Sequence, residues 1–282
     1  MGVYLAATWD PRGELRRLSR LQSSLSELYC GMVAVIPPGA AMEVLEGLEA
    51  LGFQMETPDG APAAGARWRA VSAPEWSWGR FLALRKALSG GAAGIQYADL
   101  DRLLRWAETR PQELAGAVEN IEGRDCLIFG RTAAAYRTHP RSLARTEAIS
   151  NRVVSHLLGR SMDVSAGSKA FSRRAAEFIT ANSQPGRALG TDAEWPLLLH
   201  RGGFRIDYQE VEGLDWESAD RYQETAAGND DQRRAAEAVD RDPASWARRV
   251  EVALEIVESG MDALERALVD PAESAAGAQE SD

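Results

Sequence analysis

The sequence predicts an α/β fold: a single three-layer α/β/α domain with a mainly parallel sheet, followed by an amphipathic C-terminal helix. Three observations carry this. Short β-prone runs alternate with stretches of helical periodicity over residues 1–222, the pattern of βαβ units. The chain has 282 residues, 45% of them hydrophobic, enough to bury one large core. Beyond Tyr222 a polar stretch gives way to one apolar helical stripe.

The elements follow in order. Val3–Thr8 reads as a strand, and Pro11-Arg12-Gly13 as a turn. Leu15, Leu18, Leu21, Leu25 and Leu28 recur at helical spacing through Tyr29. Gly31 breaks that helix, and residues 32–36 form a second strand ended by Pro37-Pro38. A helix over 41–51 stops at Gly52, with a third strand over 53–56. Residues 57–65 are a loop rich in Pro, Gly and Ala, Gly79–Leu88 is helical, and a strand beginning at Ile95 ends at Asp99. Residues 103–118 are helical, with Pro111 breaking or restarting the helix. Residues 126–129 are a buried strand. Arg141–Leu158, 172–181 and 193–201 are helical, with Pro196 fitting best in a first turn, and 204–211 is a late strand.

Residues 223–241 read as a polar linker. Asp242-Pro243 then signals the start of a helix over 242–269, with Trp246, Val250, Leu254 (or Ala253), Val257, Met261, Leu264 and Leu268 in one stripe. The stripe is expected to dock on the main domain; a homodimer formed through it is the alternative. Residues 270–282 have the composition of a disordered tail.

Composition narrows the function. A net charge of -10 and a pI near 5.0 leave no basic field for a nucleic-acid polymer. Lys86 and Lys169 are the only lysines, so any anion site must rest largely on arginine, whose guanidinium can fork onto phosphate. Cys30 and Cys126 give neither finger spacing nor a disulfide framework and read as buried free thiols of a reducing compartment. The start lacks the basic region of a signal peptide, and no apolar run has the length of a membrane span. The expectation is a soluble, cytoplasmic protein.

The chemistry centres on Ile95-Gln96-Tyr97-Ala98-Asp99-Leu100-Asp101-Arg102, an apolar strand ending in two carboxylates where a helix begins. Hard divalent cations that carry phosphates take one or two such carboxylates, and α/β sheets bind ligands beyond the carboxyl ends of strands. The competing reading is helix capping, which Asp also serves. Gly90-Gly91-Ala92-Ala93-Gly94 precedes a strand and opens no helix, so a plain turn explains it.

The order of these stretches resembles the GT-A fold nucleotide-sugar glycosyltransferases, family 2-like. Val3–Thr8 with Trp9 and Asp10 looks like their first strand. Gly79–Leu88 is similar to the basic Ala-Leu helix before their metal motif, and Asp99-Leu100-Asp101 falls at their Asp-x-Asp. Gly190-Thr191-Asp192-Ala193-Glu194-Trp195 looks like their acceptor-side Gly-x-Asp-x-Glu helix.

The resemblance covers about residues 3–222 and implies a metal-dependent transfer of a sugar from a nucleotide diphosphate to a small or carrier-bound acceptor. It implies Mn²⁺ or Mg²⁺ on Asp101, with Asp99; donor contacts from Asp10, Arg80, Arg85 and Asp99; and a general base at Asp192 or Glu194 if the reaction inverts. It further implies an acceptor pocket from Gly167, Ser168, Lys169 and Trp195. Thr191 and Asp192 as a helix cap, with Glu194 in the first turn, is the structural alternative. The usual Pro-x-Tyr-Asn opening is replaced by Trp9-Asp10-Pro11, and no third metal ligand is evident. Those departures support a second reading, a non-catalytic sugar-nucleotide binder or scaffold of the same fold. Asp163 is a further candidate for a sugar hydroxyl, and Trp76, Trp78, Trp195 and Trp216 offer flat faces for a sugar ring. Arg131, Arg137 and His139 gather without evident carboxylates and suggest an anion site.

Overall fold

The computed structural model describes residues 2–11, 14–61, 65–184 and 186–270. Strand β1 (Val3–Thr8) leads through helix α1 (Leu15–Leu28) to β2 (Tyr29–Ile36), then α2 (Met42–Ala50), β3 (Gln54–Glu56) and β4 (Trp68–Ser72). Helix α3 (Gly79–Leu88) precedes β5 (Gly94–Asp99), which runs directly into α4 (Leu100–Thr109) and α5 (Pro111–Glu119). There follow β6 (Cys126–Arg131), α6 (Ala133–Thr138), α7 (Arg141–Leu158), β7 (Ser168–Ser172), α8 (Arg173–Asn182), α9 (Thr191–Arg201) and β8 (Ile206–Val211). Helices α10 (Asn229–Asp240) and α11 (Pro243–Glu265) complete the described chain.

The eight strands form one sheet in the order β3-β4-β2-β1-β5-β7-β6-β8. All neighbours are parallel except β7, which runs against both β5 and β6. Period-2 alternation sends successive strand residues to opposite faces. Tyr4, Ala6, Val33, Val35, Ile95 and Tyr97 face a core shared with α3, α8, α9 and α11. Leu5, Ala7, Met32, Ala34 and Ala98 face a second core with α1, α2, α4 and α5. Two cores on two faces of one sheet make the three-layer α/β/α arrangement expected from the sequence.

Several local expectations are corrected. Tyr29 begins β2 and does not end α1; its side chain is buried and donates to Gln96 Oε1 at 2.9 Å. Strands β4 and β7 were not foreseen. Pro196 sits in the second turn of α9, leaving the Asp192 carbonyl without its helical N–H donor. Residues 229–240 of the expected linker form α10, whose Gln232 is buried and donates to Trp216 O and Asp215. Cys30 is exposed; Cys126 alone is buried, and burial pushes its thiol up to about 12.

Helix α11 docks as expected, but on a rotated face. Ala253, Ile256, Ser259, Gly260 and Ala263 are buried, whereas Val250, Leu254 and Met261 remain exposed. Small residues let the helix axis approach α9: a Cβ on Gly260 would lie 3.0 Å from Leu197 and 3.1 Å from Ala193. The expected tail beyond Asp270 and the turn at Arg12-Gly13 lie outside the described residues. Among the described residues, no helix is long and apolar enough to cross a membrane.

Candidate functional site

The sheet order reverses between β1 and β5: the chain moves from β1 through β2 and β4 towards one edge, and from β5 towards the other. Crevices outside the carboxyl ends of strands at such a reversal are where α/β sheets hold ligands. Here Thr8, the last residue of β1, is in register with Asp99, the last of β5. A cleft of about 160 Å³ opens beyond them, lined by Thr8, Trp9, Asp10, Trp76, Arg80, Asp99, Asp101, Arg102, Ala188, Leu189 and Glu217.

Asp99 occupies the N-cap position of α4, yet its side chain caps nothing. Instead Tyr97 donates to Oδ1 at 2.6 Å, Thr8 donates at 3.3 Å, and Arg80 Nη2 lies 3.1 Å from both oxygens. The capping interpretation therefore fails for Asp99. Gly167 explains the tight fit: its φ is +73°, and a Cβ there would stand 2.5 Å from Asp99 Oδ2. Its carbonyl also accepts the Asp99 N–H at 3.0 Å. Gly167, expected on the acceptor side, thus serves as the wall against which Asp99 is set.

Asp101, two residues on, is half-buried, with Oδ1 accepting the Arg102 N–H at 2.9 Å. Burial pushes its carboxyl up to about 7; the Glu217 and Asp99 carboxylates add to the rise, and Arg102 opposes it. Arg102 Nε lies 3.3 Å from Glu217 and 3.9 Å from Asp99. The cleft lining brings the carboxylates of Asp10, Asp99, Asp101 and Glu217 together with the guanidiniums of Arg80 and Arg102.

Behind the cleft runs a buried ion chain. Arg80 Nη1 meets Asp192 at 2.9 Å, and Lys169 Nζ meets the same oxygen at 2.5 Å while also donating to Val164 O at 2.8 Å. Burial raises the Asp192 carboxyl, but Arg80 and Lys169 together outweigh it and hold the group below the usual carboxylate range. A carboxylate so held is a poor proton acceptor. Asp192 is 2% exposed and does not line the cleft, so the structure sets it as an anchor for Arg80.

Other expected site residues also lie away from the cleft. Glu194 is buried and accepts from Ser183 Oγ, the Gln184 N–H and Arg266, tying α9 to the chain after α11. Trp195 is 1% exposed and packs edge-on against Tyr97 and Phe171, so no sugar ring can stack on it. Ser168 is buried and accepts from Gln96 Nε2. Arg85 points to the other side of α3, reaching Pro58 O and Asp59. Asp163 is buried on Arg131 and Asn151. Arg131 is itself matched by Asp163 and Glu147, and burial, reinforced by Arg131 and Arg102, holds the His139 imidazole well below its ordinary range. The expectation of uncompensated cations near Arg131 is thereby corrected.

Trp76 is the half-exposed aromatic in the lining; Trp216 is buried, and Trp78 lies outside it. Arg102 and Glu217 were missed by sequence reasoning. Arg102 carried a signal, three residues after Asp99 on the same helical face. Glu217 carried none, because only the fold brings it back to α4. Among the described residues, no three His, Cys, Asp or Glu side chains stand close enough to hold a metal by themselves.

No protein-family model matches the chain, and no curated protein matches it in sequence. Solved structures to which it is similar include glucosyl-3-phosphoglycerate synthase from Mycobacterium tuberculosis. A structure of that enzyme with Mn²⁺, UDP-glucose and phosphoglyceric acid gives a TM-score of 0.44 at 14% identity, covering 89% of this chain and 80% of that one. Another of the same synthase gives 0.46 at 14% identity over 89% and 81%. One with Mg²⁺ and UDP gives 0.40 at 13% identity over 73% and 68%.

Proposed function

We propose that this chain is a glycosyltransferase of GT-A type that takes its sugar from a nucleotide diphosphate donor and requires Mn²⁺ or Mg²⁺. The observation that carries the reading is the set of carboxylates, Asp99, Asp101 and Glu217, gathered at the β1/β5 reversal. A divalent cation held among these carboxylates would draw the phosphates in, where the carboxylates alone would oppose them. Its donors are all oxygen, the set that hard cations select. Asp101 is the carboxylate for it; Asp99 is already occupied by Arg80, Tyr97 and Thr8. When bound, the cation would neutralise charge developing on the leaving diphosphate.

The protein's own groups do the rest. Arg80 and Arg102 flank the carboxylates and can fork onto phosphate oxygens. Trp76 offers an apolar face at the rim for a base or a sugar ring. Asp192 and Lys169 hold Arg80 in place from behind. The acceptor is a small or carrier-bound hydroxyl compound, and two unbridged cysteines favour a cytoplasmic setting.

The test is ligand-linked stability. With Mn²⁺ present, one of UDP, GDP, ADP or TDP at a hundred times its Kd should stabilise the fold by about 2.7 kcal/mol. That is a rise in Tm of roughly 5–10 °C for a chain of this size. Asp101→Asn should abolish the rise. Absence of any shift across the panel would defeat the proposal, and release of sugar from the matching nucleotide-sugar would separate an enzyme from a binder.

A further inference from the structure

The three carboxylates nearest the strand ends are not equivalent. Asp99 spends both oxygens on the protein, on Arg80, Tyr97 and Thr8. Glu217 is different. It is 8% exposed and lines the cleft; Oε1 accepts from Ser218 Oγ at 3.1 Å, while Oε2 is buried and accepts no hydrogen bond. Arg102 Nε is 3.3 Å from Oε2 but lacks hydrogen-bond alignment. A buried carboxylate oxygen without a hydrogen-bond donor, on a side chain that lines the cleft beside Asp101, is set for a cation.

We infer that the cation in this cleft is held by the carboxylates of Asp101 and Glu217, with phosphate oxygens completing its shell. Asp99 is the residue that positions Arg80. The inference rests on the nucleotide-diphosphate reading above and deepens it. Two carboxylates with substrate phosphates are the usual supply for Mg²⁺, which accounts for the lack of a three-residue cluster among the described residues. It also gives residues 212–228, between β8 and α10, a role: they carry Glu217 back across the sheet to the start of α4.

The experiment is a Mn²⁺ titration followed by electron paramagnetic resonance, with UDP or whichever diphosphate of the panel binds. Glu217→Gln should raise the Mn²⁺ dissociation constant by about 10- to 100-fold or more, since even residues behind the ligands have effects of that size. Its metal-free nucleotide affinity should not fall, because a negative charge has left the cleft, and Asp99→Asn should change Mn²⁺ affinity less. Glu217→His supplies a direct readout: a histidine nitrogen on the ion introduces a ¹⁴N coupling absent from wild type. If Glu217→Gln fails to fold, Glu217→His decides alone.

Wild-type Mn²⁺ affinity in Glu217→Gln, or Mn²⁺ bound to Glu217→His without nitrogen coupling, overturns the assignment while leaving the donor site standing. Wild-type protein that takes up no Mn²⁺ with any diphosphate of the panel overturns the donor site and the assignment together.

Discussion

Lys169 tests the structure most directly, because the family resemblance implies an acceptor pocket for it and the fold buries its side chain on β7. Its side chain is 1% exposed, bonded to Asp192 at 2.5 Å and to Val164 O at 2.8 Å. In Lys169→Met the ammonium and both bonds are lost, while the volume is nearly kept. Removing one partner of a buried pair ordinarily costs about 3–5 kcal/mol because the other charge is stranded. Here Asp192 keeps Arg80 at 2.9 Å, so it is not stranded. The expected loss is nearer that of two hydrogen bonds, one of them charge-assisted, about 2–3 kcal/mol.

Urea unfolding at pH 7 should show that loss in the midpoint at unchanged slope, with a fall in Tm of roughly 5–10 °C. Lys169→Met and Asp192→Asn should also be non-additive, with a coupling within about 0.5–3 kcal/mol. A loss below about 1 kcal/mol, the range of exposed pairs, would mean that Lys169 reaches solvent and that the buried chain Lys169–Asp192–Arg80–Asp99 is wrong.

Two further predictions follow from the same geometry. Burial, with Arg131 and Arg102 nearby, keeps His139 neutral in the fold, whereas unfolded it titrates near its ordinary 6.5. Below that pH the unfolded chain gains a proton that the folded chain refuses, so this group should remove about 1.4 kcal/mol of stability by pH 5.5, and His139→Gln should flatten that part of the pH–stability curve. An equal slope in both proteins would show that His139 does not stay neutral. Gly167→Ala forces a left-handed conformation worth about 1–2 kcal/mol and pushes a methyl onto Asp99. It should lower Tm and weaken nucleotide binding together; a fall in Tm with binding intact would detach Gly167 from the site.

Much of the fold was legible because leucine spacing and apolar strand runs report directly on burial: α1, α3, α7 and β1 lie where periodicity puts them. Strands β4 and β7 were hidden for a physical reason. Each has five residues, and each carries a buried cation, Arg69 or Lys169, satisfied by partners distant in sequence. The stripe on α11 misled because size was taken as the sign of burial. Close packing against α9 selects Gly260 and Ala263 and turns Val250 and Leu254 outward. At the site, Asp99 and Asp101 were singled out by their place at a strand end, and Asp10 and Arg80 by the family resemblance; the fold brings all four to the lining of one cleft. Trp195 and Lys169 were misread because rarity and aromaticity carry no information on accessibility.

The two cysteines have a practical consequence. Cys30 is exposed as the second residue of β2, and the cleft lies beyond the opposite ends of the strands; at about 3.3 Å per residue, the length of β2 separates them by roughly 20 Å. Cys126 is sealed in the core, and its thiolate is scarce at neutral pH. The unmodified protein therefore offers one accessible thiol remote from the cleft. A fluorophore or spin label can be attached there without mutagenesis, leaving the strand ends clear for ligand.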